Sequence, residues 1–154
     1  MEREFVSHSE SETEAVGREI AHSLPEDGLY YLTGDLGAGK TFLVRAIAME
    51  LGADPMEVAS PTFAIVHEYP LAQGPPIIHI DGYRLSNALR EWQEIGIPDM
   101  LQSSGLKFIE WPKKPFEDFA AKTGEIRIIV NADDSRTILF ETRNQKPESR
   151  KEGR

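Results

Sequence analysis

The segment at residues 34–41, which reads GDLGAGKT, constrains the fold more than any other part of the chain. It satisfies the pattern G-x-x-x-x-G-K-[ST] at every position. A short apolar run bounded by glycines, Gly28 to Gly34, precedes it, and apolar residues at helical spacing follow it from Lys40 to Gly52. The first pattern is typical of a buried strand and the second of an amphipathic helix. The order strand, glycine-rich loop, helix predicts an α/β fold with a phosphate-binding loop.

The residue types in this loop suit a nucleoside triphosphate. Small residues allow consecutive backbone N–H groups to turn inward around a phosphate, and the following helix directs its positive dipole end to the same place. Lys40 would neutralise β- and γ-phosphate oxygens, and Thr41 carries the first hydroxyl of the helix, where it can coordinate Mg²⁺. A glycine-rich turn without a ligand is the alternative, and the flanking strand and helix disfavour it. The motif does not identify the base.

The rest of the chain supplies further strands and helices. We predict helices over Ser11–Leu24 and Asn87–Ile95, strands over Ser60–Tyr69, Ile77–Leu85 and Leu106–Trp111, and a hairpin from residues 125–130 and 136–141. These elements predict a P-loop NTPase fold, with a central, mainly parallel sheet flanked by helices and the C-terminal antiparallel hairpin at one edge. Residues 1–142 are expected to form one domain, and residues 143–154 a disordered polar tail.

Composition excludes several classes of protein. The 17 Lys and Arg against 26 Asp and Glu give a net charge of -9, which disfavours direct binding to nucleic acid or to an anionic membrane. The chain has no cysteine, so disulfides, Fe–S clusters and thiol nucleophiles are excluded. No apolar run approaches the roughly 18 residues of a membrane helix, and the N-terminus lacks the apolar core of a signal peptide. A cytoplasmic protein is expected.

Hydrolysis or transfer of a phosphate needs a carboxylate beside the loop, at the C-terminal end of a neighbouring strand. Glu110 ends the predicted strand LKFIE and would face Thr41 and the metal. Asp81 follows the apolar run Ile77–Ile80 and would lie near the loop if that strand is parallel and adjacent. A solvated acid for Glu110 and a turn-forming residue for Asp81 are the alternatives. His79 shares a strand face with Asp81, but a lone histidine in an apolar run is more often a core residue.

A second group of residues suggests a switch or a partner surface. Ser60 and Thr62 flank a proline, and a hydroxyl on such a loop can sense a γ-phosphate, although a cap of a helix or strand is an equal alternative. Tyr83 and Arg84 could contact phosphate or a partner, and the arginine could equally hold the fold through an ion pair. Trp111 follows Glu110 and could face a partner or the core.

The motifs GDLGAGKT, SPTF, HxDxYR and IEWP occur here in one chain and in one order. With them the sequence resembles the TsaE (YjeE) family of bacterial P-loop ATPases, which is needed for the threonylcarbamoyladenosine (t6A) modification of tRNA. The likeness covers about residues 5–142. One departure is Gly82, where the family usually has leucine, and we expect it to loosen the strand after Asp81.

The resemblance implies a small Mg²⁺-dependent ATPase that joins the TsaB–TsaD pair and has low activity without it. Its ATP turnover would support modification of adenosine 37 without transferring the threonylcarbamoyl group itself, and tRNA would be contacted only through the complex. Carried over by motif, Thr41 and Glu110 would hold Mg²⁺, and Lys40, Asp81 and Glu110 would be catalytic. The residues implied to hold ATP are Leu36, Gly37, Ala38, Gly39, Lys40, Thr41, Phe42 and Asp81, with weaker contacts from Thr13 and Arg136.

Several questions stay open at this point. Either Asp81 or Glu110 could orient the attacking water, and an arginine finger could come from Arg84 or from a partner. A GTPase switch is disfavoured because the chain has no N-K-x-D segment. A small-molecule kinase is disfavoured because the stretch that would form an arginine-bearing lid is short. A nucleotide-gated scaffold, in which ATP only orders the SPTF segment, remains the non-catalytic alternative.

Overall fold

The computed structural model describes residues 1–59, 64–113 and 115–143. The strands are β1 (Glu2–Ser7), β2 (Gly28–Thr33), β3 (Val66–Tyr69), β4 (Ile77–Asp81), β5 (Leu106–Glu110), β6 (Gly124–Val130) and β7 (Arg136–Thr142). The helices are α1 (Glu10–Ser23), α2 (Lys40–Glu50), α3 (Pro55–Val58), α4 (Leu89–Ile95), α5 (Ile97–Gln102) and α6 (Pro115–Phe119), with a 3-10 turn at Gly82–Arg84. Every strand and helix predicted over these residues is present, with shifted ends.

Within the described residues, the strands form one seven-stranded sheet in the order β1-β7-β6-β2-β5-β4-β3. The four central strands β6, β2, β5 and β4 run parallel, while β1, β7 and β3 pair antiparallel to their neighbours. The predicted α/β class with a central parallel sheet and a C-terminal hairpin is therefore confirmed. The expected place of the hairpin at the edge is wrong, because β1 pairs with β7 and takes that edge.

The two faces of the sheet bury two separate apolar clusters. Side chains alternate along a strand, so in β2 Tyr30 and Leu32 pack on the face covered by α1 and α2, whereas Leu29 and Tyr31 pack on the other face. Trp92 of α4 is fully buried in that second cluster, in contact with Phe116 of α6. The same alternation in β4 and β5 decides which polar side chains reach α2.

Helix α1 fixes the position of α2. Its N-cap Ser9 accepts a hydrogen bond from the backbone N–H of Glu12 at 3.1 Å, which satisfies a donor of the first turn. Gly17 faces Ala46 of α2 so closely that a Cβ there would lie 2.9 Å from the Ala46 Cβ. This close approach seats α2 against the sheet with its N-terminus at the carboxyl ends of the parallel strands.

Strand β4 ends earlier than the predicted strand Ile77–Leu85. The Asp81 carboxylate accepts a hydrogen bond from the backbone N–H of Tyr83 at 3.1 Å and starts the 3-10 turn. This is the local bond by which aspartate favours turns over strands. None of the helices in the described parts of the chain is long and apolar enough to span a membrane.

Candidate active site

The glycine-rich loop joins β2 to α2 through backbone conformations that favour glycine. Gly34 has φ of 148°, and a Cβ there would lie 2.6 Å from the backbone oxygen of Ile128. Gly39, the residue before α2, has φ of 107°. The first turn of α2 carries no acidic side chain of its own.

Lys40 lies inside this loop. Its Nζ donates hydrogen bonds to the backbone oxygens of Gly34 and Asp35, the second at 3.2 Å, and lies 3.7 Å from the centroid of the Trp111 ring. Burial lowers the pKa of the Lys40 ammonium, although the charges of Glu110, Asp35 and Asp81 act in the opposite direction. The ammonium group is thus held at the loop by backbone oxygens and an aromatic face.

The two candidate carboxylates lie at neighbouring strand ends. Glu110 of β5 pairs in register with Leu32 of β2 on one side and with Asp81 of β4 on the other. The Thr41 hydroxyl lies 2.8 Å from Oε1 and 2.9 Å from Oε2 of Glu110. His79 Nε2 lies 2.6 Å from Oε2 of the same carboxylate. The loop, the helix start and both strand ends therefore meet at one edge of the sheet.

The environment of Glu110 favours its ionised form. Its side chain is only 7% exposed, and burial by itself raises the pKa of the carboxyl. The hydrogen bond and charge of His79, the hydrogen bond of Thr41 and the charge of Lys40 outweigh burial and hold the pKa below its usual range. Glu110 is therefore a buried carboxylate, the kind of oxygen donor that Mg²⁺ prefers.

Asp81 has a different environment. Its side chain is 32% exposed, and besides its bond to the Tyr83 N–H it lies 3.8 Å from the Arg84 Nε. It faces a cleft of about 620 Å³ between the glycine-rich loop and the ends of β4 and β5. The cleft is lined by Leu36, Gly37, Gly39, Lys40, Thr41, Phe42, Arg45, Asp81, Tyr83, Arg84, Glu110 and Trp111.

The cleft is lined by most of the residues that we expected to bind or hydrolyse a nucleotide. Three of the expected residues, Ala38, Arg136 and Thr13, do not line it. Ala38 is buried under the loop, and Arg136 donates from Nε to its backbone oxygen at 3.0 Å. Thr13 is buried on α1, where its hydroxyl lies 2.6 Å from that of Ser7. Ser60 and Thr62, the expected switch residues, lie outside the described residues.

Sequence reasoning missed one cleft residue and undervalued another. Arg45 lines the cleft, and the available signal was its spacing four residues after Thr41 on one helix face. His79 is a core residue, as the pattern favoured, but it also contacts Glu110. Its position two residues before Asp81, on the same face of the strand, was the available sequence signal that His79 lies near the site.

Gly82 directly follows the end of β4 and allows a close approach that the sequence did not indicate. It is buried in the 3-10 turn, where a Cβ would lie 2.2 Å from the backbone oxygen of Trp111 and 2.8 Å from that of Glu110. Trp111 itself has φ of 55°, and its ring contacts the ring of Tyr83 with centroids 5.4 Å apart. The missing side chain at Gly82 therefore lets the ends of β4 and β5 approach closely.

Comparisons with known proteins agree with this geometry. The family described as "Threonylcarbamoyl adenosine biosynthesis protein TsaE" matches residues 7–138. A protein from Streptomyces coelicolor, named tRNA threonylcarbamoyladenosine biosynthesis protein TsaE, is 38% identical over 114 residues, which cover 73% of this chain and 76% of the relative. A protein of the same name from Treponema pallidum is 32% identical over 133 residues, or 86% of this chain and 96% of the relative.

A solved structure has the same fold. The crystal structure of Bacillus subtilis YdiB superposes with a TM-score of 0.71 at 25% sequence identity, covering 92% of this chain and 86% of that one. The family match spans most of the chain and includes the glycine-rich loop and both strand ends. This chain belongs to the TsaE family, whose members are named for the biosynthesis of threonylcarbamoyladenosine in tRNA.

Proposed function

We propose that this chain is an Mg²⁺-dependent ATPase that supports t6A modification of tRNA at adenosine 37 by acting with the TsaB–TsaD pair. It hydrolyses ATP and does not itself transfer the threonylcarbamoyl group. Membership of the TsaE family supports the biological process. The observation that carries the chemistry is the contact of the Thr41 hydroxyl with both carboxylate oxygens of Glu110, at 2.8 and 2.9 Å, beside a phosphate-binding loop.

The residues at the cleft fit ATP and Mg²⁺. The Thr41 hydroxyl and the Glu110 carboxylate are adjacent hard oxygen donors, which suit an ion that takes few protein ligands and completes its shell with phosphate oxygens. Lys40 and the N–H groups of the loop would bind the phosphates. When bound, Mg²⁺ would supply positive charge to the phosphate oxygens as the reaction proceeds.

The two carboxylates then take separate roles. Glu110 already accepts hydrogen bonds from Thr41 and is in contact with His79, so it suits the metal. Asp81 is a third exposed and faces the cleft, so we assign it to orient a water molecule for in-line attack on the γ-phosphate. Lys40 and the loop amides stabilise the charge that develops on the transferred group.

The acidic surface suits action through protein partners rather than a direct grip on tRNA. The net charge is -9, whereas binding to phosphates requires an excess of basic side chains. Tyr83 is 63% exposed at the mouth of the cleft, next to Arg84 and Trp111, and we assign this aromatic and basic group to the contact with TsaB–TsaD. The activity is proposed to occur in the cytoplasm.

The test is hydrolysis of Mg-ATP by the purified protein, alone and with TsaB–TsaD. We expect low turnover that the pair stimulates, and we expect Lys40→Ala to abolish it. Glu125→Gln is the control, because Glu125 also accepts a hydrogen bond from a threonine hydroxyl, that of Thr33 at 2.8 Å, but lies outside the cleft. Normal ATP binding without hydrolysis, alone and with the pair, would contradict the proposal and favour a nucleotide-gated scaffold.

A further inference from the structure

A row of buried polar side chains runs from Glu110 across the sheet towards β3. The Tyr69 hydroxyl lies 3.2 Å from Nδ1 of His79, and Nε2 of His79 lies 2.6 Å from Oε2 of Glu110. Tyr69 is 3% exposed and His79 is 2% exposed. Both side chains are therefore almost inaccessible to water.

Three neighbouring strands build this row. Tyr69 comes from β3, His79 from β4 and Glu110 from β5, and these strands are adjacent in the sheet. The alternation of side chains places all of them on the face that α2 covers. Arg45 of α2 lies near Tyr69, where its positive charge partly offsets the rise that burial causes in the pKa of the Tyr69 hydroxyl.

The contacts of the row are chemically consistent. An ionised carboxylate can only accept, so Nε2 of His79 donates to Glu110. The Tyr69 hydroxyl can donate to or accept from Nδ1, so that contact pairs a donor with an acceptor in either protonation state of the ring.

Stability alone does not account for such a row. Burying charged and polar groups costs desolvation free energy, and apolar residues of similar volume often replace a buried ion pair without loss. A fully satisfied buried network, by contrast, fixes the orientation of its members. Residues that form hydrogen bonds to a metal-binding side chain typically act in this way, because they orient that side chain before the metal binds.

We propose that Tyr69 and His79 are positioning residues that hold the Glu110 carboxylate in the orientation that binds Mg²⁺ together with Thr41. The proposal rests on the proposed function, since it assigns a role toward the same metal. Neither residue touches nucleotide or metal. Their contribution is to restrict the rotation of the Glu110 side chain, so their loss should weaken Mg²⁺ binding and leave metal-free nucleotide binding unchanged.

The test measures binding rather than turnover. A fluorescent ADP analogue is titrated into the full-length protein in EDTA, and Mg²⁺ is then titrated into the complex to find its half-saturating concentration. The variants are His79→Leu, which removes both nitrogens, His79→Gln, which keeps an N–H donor near the position of Nε2, and Tyr69→Phe. The matched control is Tyr30→Phe, because Tyr30 is also a buried strand tyrosine and its hydroxyl has no hydrogen-bond partner in the described part of the chain.

We expect His79→Leu to raise the half-saturating Mg²⁺ concentration about tenfold, the lower end of the usual effect for partners of metal ligands. Tyr69→Phe should raise it less, His79→Gln should recover most of the loss, and Tyr30→Phe should change nothing. If His79→Leu does not fold, Tyr69→Phe decides. The positioning role would be overturned if Tyr69→Phe and any folded His79→Leu both kept the wild-type affinity for Mg²⁺. It would also be overturned if the variants lost as much affinity for the ADP analogue in EDTA as they lost for Mg²⁺. Wild-type protein that binds the analogue equally with and without Mg²⁺ would instead overturn the proposed function.

Discussion

The ends of β4 and β5 are alike in sequence and different in environment. Each strand is a short apolar run that ends in a carboxylate, and Asp81 and Glu110 are paired in register at the same edge of the sheet. Yet the Glu110 side chain is 7% exposed and contacts Thr41 and His79, whereas the Asp81 side chain is 32% exposed and caps its own turn. Two neighbouring carboxylates with different surroundings are the usual basis for two different chemical roles.

The cause of the difference is what lies beyond each strand. β5 lies between β2 and β4 and ends beneath the first turn of α2, so Glu110 is enclosed on several sides. β4 runs into a 3-10 turn, which carries the Asp81 carboxylate to the cleft.

Removal of the enclosed carboxylate should have the largest effect. We expect Glu110→Ala to lower Mg²⁺-dependent ATP hydrolysis by about a hundredfold to a thousandfold, comparable to the loss of one key electrostatic group in an active site. The protein should also lose stability, because Thr41 and His79 lose their buried acceptor. Steady-state hydrolysis and urea unfolding measure the two effects. Equal loss of turnover in the control Glu125→Ala would contradict the special role of the β5 end.

Neutralisation of the exposed carboxylate should separate the two roles. We expect Asp81→Asn to lower kcat by about a hundredfold, the usual scale for a group that assists proton transfer or orients water, while Mg-ADP affinity stays at the wild-type value. Measurement of kcat beside Mg-ADP affinity distinguishes this variant from Glu110→Ala, which should lose both. The control is Glu68→Gln, an exposed carboxylate of β3 that does not line the cleft. Weakened Mg-ADP binding in Asp81→Asn would show that the two carboxylates share one role.

A substitution that forces the ends of β4 and β5 apart should have a smaller effect on turnover. A Cβ at position 82 would overlap the backbone oxygens of Trp111 and Glu110, so we expect Gly82→Ala to lower the free energy of unfolding by about 2 kcal/mol and to reduce turnover. Calorimetry and the hydrolysis assay measure these changes. Gly74→Ala is the control, since Gly74 has φ of 85° but open space around it. That variant should lose stability through backbone strain and keep wild-type turnover.

The smallest effect concerns β2, which pairs with β5 but contributes no carboxylate. Burial raises the pKa of Tyr30 to about 12 from its ordinary value of 10.0, and burial, with Glu117 nearby, does the same for Tyr31. Because the proton is bound more tightly in the folded protein, the stability that these groups contribute is complete below pH 10.0 and decreases as the pH rises toward about 12. At about pH 11 the loss through Tyr30 should be about 1 kcal/mol.

Urea unfolding at about pH 9 and about pH 11 measures this alkaline loss. Tyr30→Phe should remove part of the difference between the two conditions, because phenylalanine does not ionise. An unchanged difference in that variant would show that the alkaline loss arises outside β2.

Some elements could not be predicted because their patterns are weak. β1 reads EREFVS, in which charged residues interrupt any apolar run, and only an edge strand tolerates such a pattern. α3, α5 and α6 have 4, 6 and 5 residues, too few for a helical period to show. The paired strands β6 and β7, by contrast, were predicted because both alternate over 7 residues around a turn-prone loop.

The glycine-rich loop could be identified from the sequence alone, because eight consecutive residues contain all the glycines, the lysine and the hydroxyl of the motif. The sequence also indicated both carboxylates, since each follows an apolar strand. The different surroundings of the two carboxylates depend on tertiary contacts. Thr41 and Glu110 are 69 residues apart in the chain, and His79 and Glu110 are 31 apart. Their contacts depend on the strand order and on the seating of α2, which arise from packing between distant segments and leave no local pattern in the sequence.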